Sequence, residues 1–274
     1  MNTPIRLGNV KHINDDGIGL LWQNFPPGHI SPIHSHTFYE LELTLSGETT
    51  EYINGEPFLK KRGTVSILSP ADIHSFEVND STDVADLMFE EKHLPSGMTS
   101  QLFSREISRS VILSEEKTTS LENLFRVIDS VKDYDKPLKS KLIKNLIESA
   151  LLIIIKEYNI QGHKIKDKKQ SDIEQMLQYI DLHFRDNPSV GTVAEAVGKS
   201  PDYFSKYFKK HVGCGYSEYL NKRKTECAEV LLRISDMSIT EICFNSGFDS
   251  MSNFLRVFKI ATGSTPSDYR AKKQ

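Results

Sequence analysis

Two stretches fifty residues apart carry one pattern. YFSKYFKKHVG (Tyr203 to Gly213) and NFLRVFKIATG (Asn253 to Gly263) align Phe204 with Phe254, Phe208 with Phe258, Lys209 with Lys259 and Gly213 with Gly263. Further on, SEYLNKRK and SDYRAKK align Ser217 with Ser267 and Tyr219 with Tyr269. Two copies of one supersecondary unit explain this most economically, and that constrains the last third of the chain more than any compositional property does. Each copy has the parts of a helix-turn-helix. In the first, Thr192 to Val197 reads as a short helix, Gly198-Lys199 as the turn and Ser200-Pro201 as the start of a second helix. Serine caps the free N–H groups there, and proline at the first helical position loses no hydrogen bond. In the second copy, ITEICFNSGF leads through Gly247 to Ser250 as the cap.

The second helix of each copy has two faces. Phe204, Tyr207, Phe208 and His211 fall at i, i+3, i+4 and i+7 and are expected to face a core, as are Phe254, Val257, Phe258 and Ala261. The opposite stripes are Asp202, Ser205, Lys206 and Lys209, and Ser252, Leu255, Arg256 and Lys259. Cations and hydroxyls on an outward face suit phosphates and base edges. One such face alone is more often plain solvated surface, but two in register, each after a cap and a turn, point to DNA. Between the copies, Ser217 to Ile234 reads as one helix with Leu220, Cys227, Ala228, Leu231 and Leu232 on its inner side. Its roughly 27 Å, at ~1.5 Å per residue, suits two recognition helices held near the ~34 Å of one DNA turn.

The segment from about Asp172 to Arg270 resembles the DNA-binding domain of the AraC/XylS family of bacterial transcription regulators. The residues that carry the resemblance are YFSKYFKKHVG, SEYLNKRKTECAEVLL, ITEIC, GFDSMSNFLRVFK and TGSTPSDYR. The resemblance implies base-reading positions at Asp202, Ser205 and Lys206, and at Met251, Ser252, Leu255 and Arg256. Lys206, Lys209, Lys210, Arg256 and Lys259 are expected to add salt-dependent affinity for phosphates. Three residues depart from the family pattern: Cys243 stands where alanine is usual, Asn253 where an aromatic is common and Ile260 where lysine is frequent. With Leu255 facing outward, weaker or less discriminating contacts are expected from the second unit. The formal net charge of -3 does not argue against DNA, because binding charge can be confined to one surface.

Up to about Leu113 the pattern alternates and is broken by turns. YELELTL (Tyr39 to Leu45) puts Tyr39, Leu41, Leu43 and Leu45 on one strand face, and Asn54-Gly55 between ETTEYI and EPFLK is a strong hairpin signal. Gly63 and Pro70-Ala71-Asp72 mark turns around VSIL, so a small β-barrel or sandwich is expected. From about Ser114 to Asn159 the period becomes helical. Leu121, Leu124, Phe125 and Ile128 form one stripe; Leu138, Leu142, Leu146 and Ile153 form another on a longer helix that closes with five aliphatics, Leu151 to Ile155. That excess predicts either burial between domains or, the favoured reading, a dimer interface. QGHKIKDKKQS (161–171) reads as a linker.

In the AraC/XylS family the N-terminal domain commonly resembles a cupin barrel that binds an effector or mediates dimerisation. Gly28, His34, His36, Glu40 and Gly47 fit the first cupin motif, G-x5-H-x-H-x3-E-x6-G, without a gap. The second motif is partial: Gly63, Pro70 and His74 are present, Asp72 replaces a glycine and the spacing departs by one residue. His34, His36 and Glu40 share strand parity, and with His74 as the implied fourth ligand they make a candidate site for zinc, manganese or iron(II). The alternative is a polar effector pocket of the same residues, with Phe38 and Trp22 as stacking surface for a sugar or an aromatic compound.

The fold expected is α+β and multidomain. A cupin-like barrel (1–113) precedes a helical dimerisation segment (114–160), the linker (161–171) and an all-α DNA-binding domain (172–274) with helix-turn-helix units at about 191–212 and 239–262. The function expected is sequence-specific transcription regulation by a homodimer that binds double-stranded promoter DNA, a small-molecule or metal effector and RNA polymerase. Two rival readings stand beside it: a metal-dependent cupin enzyme with a degenerate DNA-binding module, and a DNA-binding protein controlled by a protein partner. The N-terminus is too polar for a secretory signal and the longest apolar run too short for a membrane span, so a cytoplasmic location is expected. Cys214, Cys227 and Cys243 form no CxxC pair and read as small fillers in a reducing compartment.

Overall fold

The structure is a computed structural model; it describes residues 5–7, 13–14, 16–94, 98, 102–103, 107–131, 136–161 and 171–271. The expected linker lies outside the described residues except at its two ends. The chain divides into two compact units, Leu7–Lys169 and Gln170–Gln274, with Met1–Arg6 grouped with the second.

Among the described residues, ten strands form two five-stranded sheets. They are β1 (Ile5–Leu7), β2 (Ile18–Phe25), β3 (Ile30–His36), β4 (Tyr39–Ser46), β5 (Glu48–Ile53), β6 (Glu56–Lys61), β7 (Thr64–Leu68), β8 (His74–Val78), β9 (Thr82–Phe89) and β10 (Ser110–Ile112). One sheet runs β1-β3-β8-β5-β6 and the other β10-β7-β4-β9-β2. Asn54 and Gly55 close the β5–β6 hairpin with φ of 52° and 87°, the left-handed pair that a tight hairpin turn requires.

Strand β4 is buried along both faces. Its odd residues pair outward across the sheet: Leu41 lies opposite Ile67 and Leu87, Leu43 opposite Val65 and Ala85, and Tyr39 opposite Phe89. Each of these side chains is 0–1% exposed. Helix α1 (Glu115–Ser130), capped by Ser114, packs on β2 and β9 and turns Leu121, Phe125 and Ile128 inward. Helix α2 (Lys136–Ile160) packs on α1 and β10. The main apolar core of this unit therefore lies outside the barrel, between one sheet and two helices.

The buried face of α2 differs from the stripe read in the sequence. Ile143, Ile147, Ala150, Leu151, Ile154 and Tyr158 are buried, whereas Leu138 is 62% exposed and Leu142, Leu146 and Ile153 are half-buried. The helix carries two apolar faces, and only the isoleucine-rich one meets the barrel.

The second unit holds α3 (Asp172–His183), α4 (Val190–Ala196), α5 (Pro201–Val212), α6 (Tyr216–Ile234), α7 (Ile239–Asn245), α8 (Met251–Thr262) and α9 (Pro266–Ala271). Serine caps five of them: Ser171, Ser189, Ser200, Ser238 and Ser250 each accept from a backbone N–H three residues on. Gly213 and Gly263 end α5 and α8 in the left-handed region. The repeat extends to packing: Phe208 meets Tyr219 edge-on at 5.5 Å, and Phe258 meets Tyr269 edge-on at 5.5 Å. The inward stripe is narrower than the spacing suggests. Phe204, Phe208, Phe254, Val257 and Phe258 are buried, but Tyr207 is half-buried and His211 and Ala261 are exposed. In α5 the core touches only the line through Phe204 and Phe208. Tyr203, Tyr207 and His211 stack along the neighbouring line, at 5.1 and 3.9 Å between ring centres.

Phe208→Ala and Phe258→Ala should each lower the unfolding free energy by about 3–5 kcal/mol, read from urea denaturation of the full chain. A loss below about 1 kcal/mol at either position would contradict the duplicated core.

Candidate nucleic-acid interface and barrel interior

In the second unit, α5 and α8 each follow a short helix and a glycine turn with positive φ, 67° at Gly198 and 88° at Gly247. Asp202, Ser205, Lys206, Lys209 and Lys210 are exposed on α5. On α8, Ser252, Leu255, Arg256 and Lys259 are exposed and Met251 is half-buried. Ser205 Oγ donates to Pro201 O at 2.9 Å and Arg256 Nη2 donates to Asn253 Oδ1 at 2.9 Å. Asn253, the departure from an aromatic, thus orients the arginine. Cys243 is fully buried as a small filler, while Ile260 is 73% exposed. Sequence reasoning missed the aromatic flank of Tyr203, Tyr207 and His211. Its signal was the i, i+4, i+8 spacing of those rings, hidden because two of them also fit the core stripe.

In the first unit, the even residues of β4 face the other sheet. His34 lies opposite His74 in the β3–β8 pairing, so His74 arrives beside the first motif despite the changed spacing. Asp72, where glycine was expected, is buried and closes that turn: it accepts from Ser69 N–H, Asn54 Nδ2 and Arg109 Nε. His36 Nε2 is 2.7 Å from His74 Nε2 and 2.8 Å from Glu40 Oε2. His34 Nδ1 donates to the Pro32 carbonyl at 2.7 Å, and His74 Nδ1 is hydrogen-bonded to Glu51 Oε1 at 3.0 Å. The bond to Pro32 leaves His34 Nε2 with its lone pair, while His74 Nε2 is engaged by His36 Nε2. Ligand atoms of His34, His36 and His74 lie within 4.8 Å of one another. Phe38 is buried with its ring 4.5 Å from that of His36. Trp22 is elsewhere: it pairs with Ala85 on the helix-covered face and lies 4.5 Å beneath the Arg126 guanidinium of α1.

Behind the histidines the interior is charged. Lys60 is fully buried, in contact with Glu42 and 3.3 Å from Glu51. Glu51 also accepts from Ser66 Oγ across the two sheets. Glu40, Glu42 and Asp86 form a second cluster, and Asp86 Oδ1 and His36 Nδ1 lack a hydrogen-bond partner among the described residues. Burial pushes the Glu51 carboxyl up to about 8 and the Lys60 ammonium down to about 8. Burial also raises Asp86 well above the carboxylate range and lowers the His74 imidazole, which His34 and His36 lower further. Glu40 goes the other way: burial raises it, but His36 and His34 hold it below its ordinary value.

A buried charge cluster is costly compared with apolar packing, and perturbed groups of this kind gather at functional sites. Lys60→Met should destabilise the chain by about 3–5 kcal/mol at neutral pH, the cost of leaving the buried, ionised Glu40 without the ammonium that helps to lower it. The deficit should shrink as pH falls, since protonated carboxylates need no counter-charge. Urea denaturation at two pH values checks both statements.

Two family profiles match the chain. One, described as an AraC-like ligand binding domain, covers residues 23–130, and one described as a helix-turn-helix domain covers residues 193–272. Uncharacterized HTH-type transcriptional regulators of Staphylococcus aureus are 25% identical over 239 residues, 84% of this chain and 31% of theirs. The regulatory protein PocR of Salmonella typhimurium is 35% identical over 161 residues, 55% of this chain and 53% of its own. The chain thus spans between about a third and about half the length of these relatives. Among solved structures, ToxT from Vibrio cholerae aligns over 94% of this chain and 98% of its own, at 12% identity and a TM-score of 0.42. The DNA-binding domain of AdpA, solved in complex with a target DNA, aligns over 38% of this chain and 93% of its own, at 25% identity and a TM-score of 0.36. With one profile on the strand-rich unit and the other on the paired helix-turn-helix unit, the chain joins an AraC-like ligand binding domain to an AraC-type helix-turn-helix domain.

Proposed function

We propose that this chain recognises promoter DNA through α5 and α8 and that a small polar effector in the barrel modulates the outcome. The observation that carries the DNA reading is the duplication: two serine-capped, glycine-terminated helices, each burying a phenylalanine pair and turning cations outward. Lys206, Lys209, Lys210, Arg256 and Lys259 supply phosphate contacts; Asp202, Ser205, Lys206, Met251, Ser252, Leu255 and Arg256 face the bases. The barrel is assigned to sensing rather than catalysis, because DNA-reading helices on the same chain serve no evident purpose for an enzyme. RNA polymerase as a partner and a cytoplasmic location follow from the same reading. Among the described residues no helix is long and apolar enough to cross a membrane.

Lys206→Ala with Arg256→Ala should weaken binding to a promoter fragment near the chain's own gene at least tenfold, since each such contact contributes about 1–3 kcal/mol. A gel-shift series at two salt concentrations measures it; binding equal to wild type would refute the face assignment, and no preference over random DNA would remove the reading.

The uncovered face of α2 is assigned to a second copy of the chain. Leu152 and Ile160 are 51% and 63% exposed there, beside Leu138, Leu142, Leu146 and Ile153. Light scattering should find a dimer that Leu142→Lys with Ile153→Lys converts to monomer; a wild-type monomer overturns it.

His34, His36 and His74 fit a divalent ion of the zinc, manganese or iron(II) class, because their three nitrogens converge and two of the rings are oriented from behind, while Glu40 stands 2.8 Å from His36 and would be the fourth ligand. Such an ion supplies a Lewis acid for an effector's oxygen. Mass spectrometry of purified protein should find near-stoichiometric metal that His34→Ala with His36→Ala removes. Metal-free protein with intact DNA binding would make the same residues the wall of an effector pocket.

A further inference from the structure

Near the middle of α6, Lys224 is only 3% exposed. Its Nζ donates to Asn187 Oδ1 at 2.7 Å and lies 5.5 Å from the centre of the Phe248 ring. Asn187 Nδ2 in turn donates to Asp249 Oδ2 at 2.5 Å. Each partner holds a particular place. Asn187 stands two residues before Ser189, the cap of α4, where the first helix-turn-helix begins. Asp249 directly precedes Ser250, the cap of the second recognition helix. One chain of hydrogen bonds thus joins the connecting helix, the entrance to the first unit and the entrance to α8.

The surrounding backbone presses these pieces together. Gly247 has a φ of 88°, and a Cβ there would stand 2.8 Å from Arg185 Cα. The turn of the second unit therefore lies directly on the segment that ends in Asn187. Asn187 itself is left-handed, with φ of 55°, a conformation asparagine tolerates better than most residues. Burial lowers the Lys224 ammonium, while the Asp249 charge raises it. A buried ammonium contributes little net stability where an apolar side chain of the same length would also pack. What it adds is direction, because its bond to Asn187 and the attraction to Asp249 are satisfied together at one placement of the two units.

We propose that Lys224, Asn187 and Asp249 form a clamp that fixes the distance and rotation between α5 and α8, and so the spacing of the two DNA segments the protein accepts. All three are positioning residues and none lies on the base-reading faces. The proposal rests on the DNA-binding reading above.

The test starts from a duplex that the wild-type full chain enriches from a random-sequence pool. Relatives of this duplex carry one, two or five extra base pairs between the two contacted segments. Wild type should lose at least tenfold in affinity when five pairs, about half a helical turn, are inserted. Asn187→Gly keeps the left-handed backbone and removes only the bridging amide; Lys224→Met keeps the apolar stem and removes the ammonium. Both should bind the selected duplex more weakly, yet lose less than threefold across the insertion series. Asp249→Ala, at an exposed position, should behave alike and serves if Lys224→Met does not fold.

Folded variants that keep the wild-type spacing profile overturn the clamp, even if their overall affinity falls. A selected duplex with only one contacted segment overturns it as well. If wild type enriches no sequence, the DNA-binding reading itself fails, and the clamp's role goes with it.

Discussion

The burial of β4 on both faces governs the strand-rich unit. A strand that is covered on one side can put its polar residues in water; this one cannot. Its leucines and Tyr39 go under the helices, and Glu40 and Glu42 go between the sheets. Because the apolar core is built outside, with α1 and α2, the interior is free to hold charge. Lys60, Glu51 and Asp86 complete it from three further strands, and the histidines close one end. The helices after the barrel are therefore part of its core and not an appendage. The two apolar faces of α2 follow from that double duty, since one is consumed by the sheet and the other remains.

The paired units are alike in what holds them together and unlike in what they present. Phe208 on Tyr219 repeats as Phe258 on Tyr269, and both α5 and α8 end on a left-handed glycine. The flank of α5 carries Tyr203, Tyr207 and His211, where α8 carries Asn253, Val257 and Ala261. Lys210 corresponds to Ile260, which is 73% exposed. On the proposed function, duplicated cores with divergent surfaces let one scaffold read two different stretches of DNA, provided the units keep a defined separation. The contact of Gly247 with Arg185 and the burial of Lys224 at their junction answer that requirement.

Much of this was legible in the residues because the signals are local. Ser200-Pro201 and Ser250 start helices through their own side chains, Asn54-Gly55 turns through its own backbone, and the fifty-residue repeat needs only alignment. The histidine pair was legible for the same reason, as strand parity puts His34 and His36 on one side. Three things were not. Which apolar line of α2 meets the sheet is not legible, because two apolar faces on one helix give no periodic contrast. The exposure of His211 is not legible, because i+7 spacing does not say how wide the covering surface is. Nor is the place of Trp22, because aromatic character carries no information about which sheet face it occupies.

The sequence by itself determined the element types, the duplicated helix-turn-helix and the outward cations, since caps, turns and periodicity act within a few residues of one another. Only the tertiary structure decided that the barrel's interior is charged and its core external, that His74 joins His36 across a turn closed by Asp72, and that Lys224 is buried between Asn187 and Asp249. Those facts depend on strand register and helix contact across dozens of residues, where no single local pattern sets the partner and the free energy of burial chooses among many.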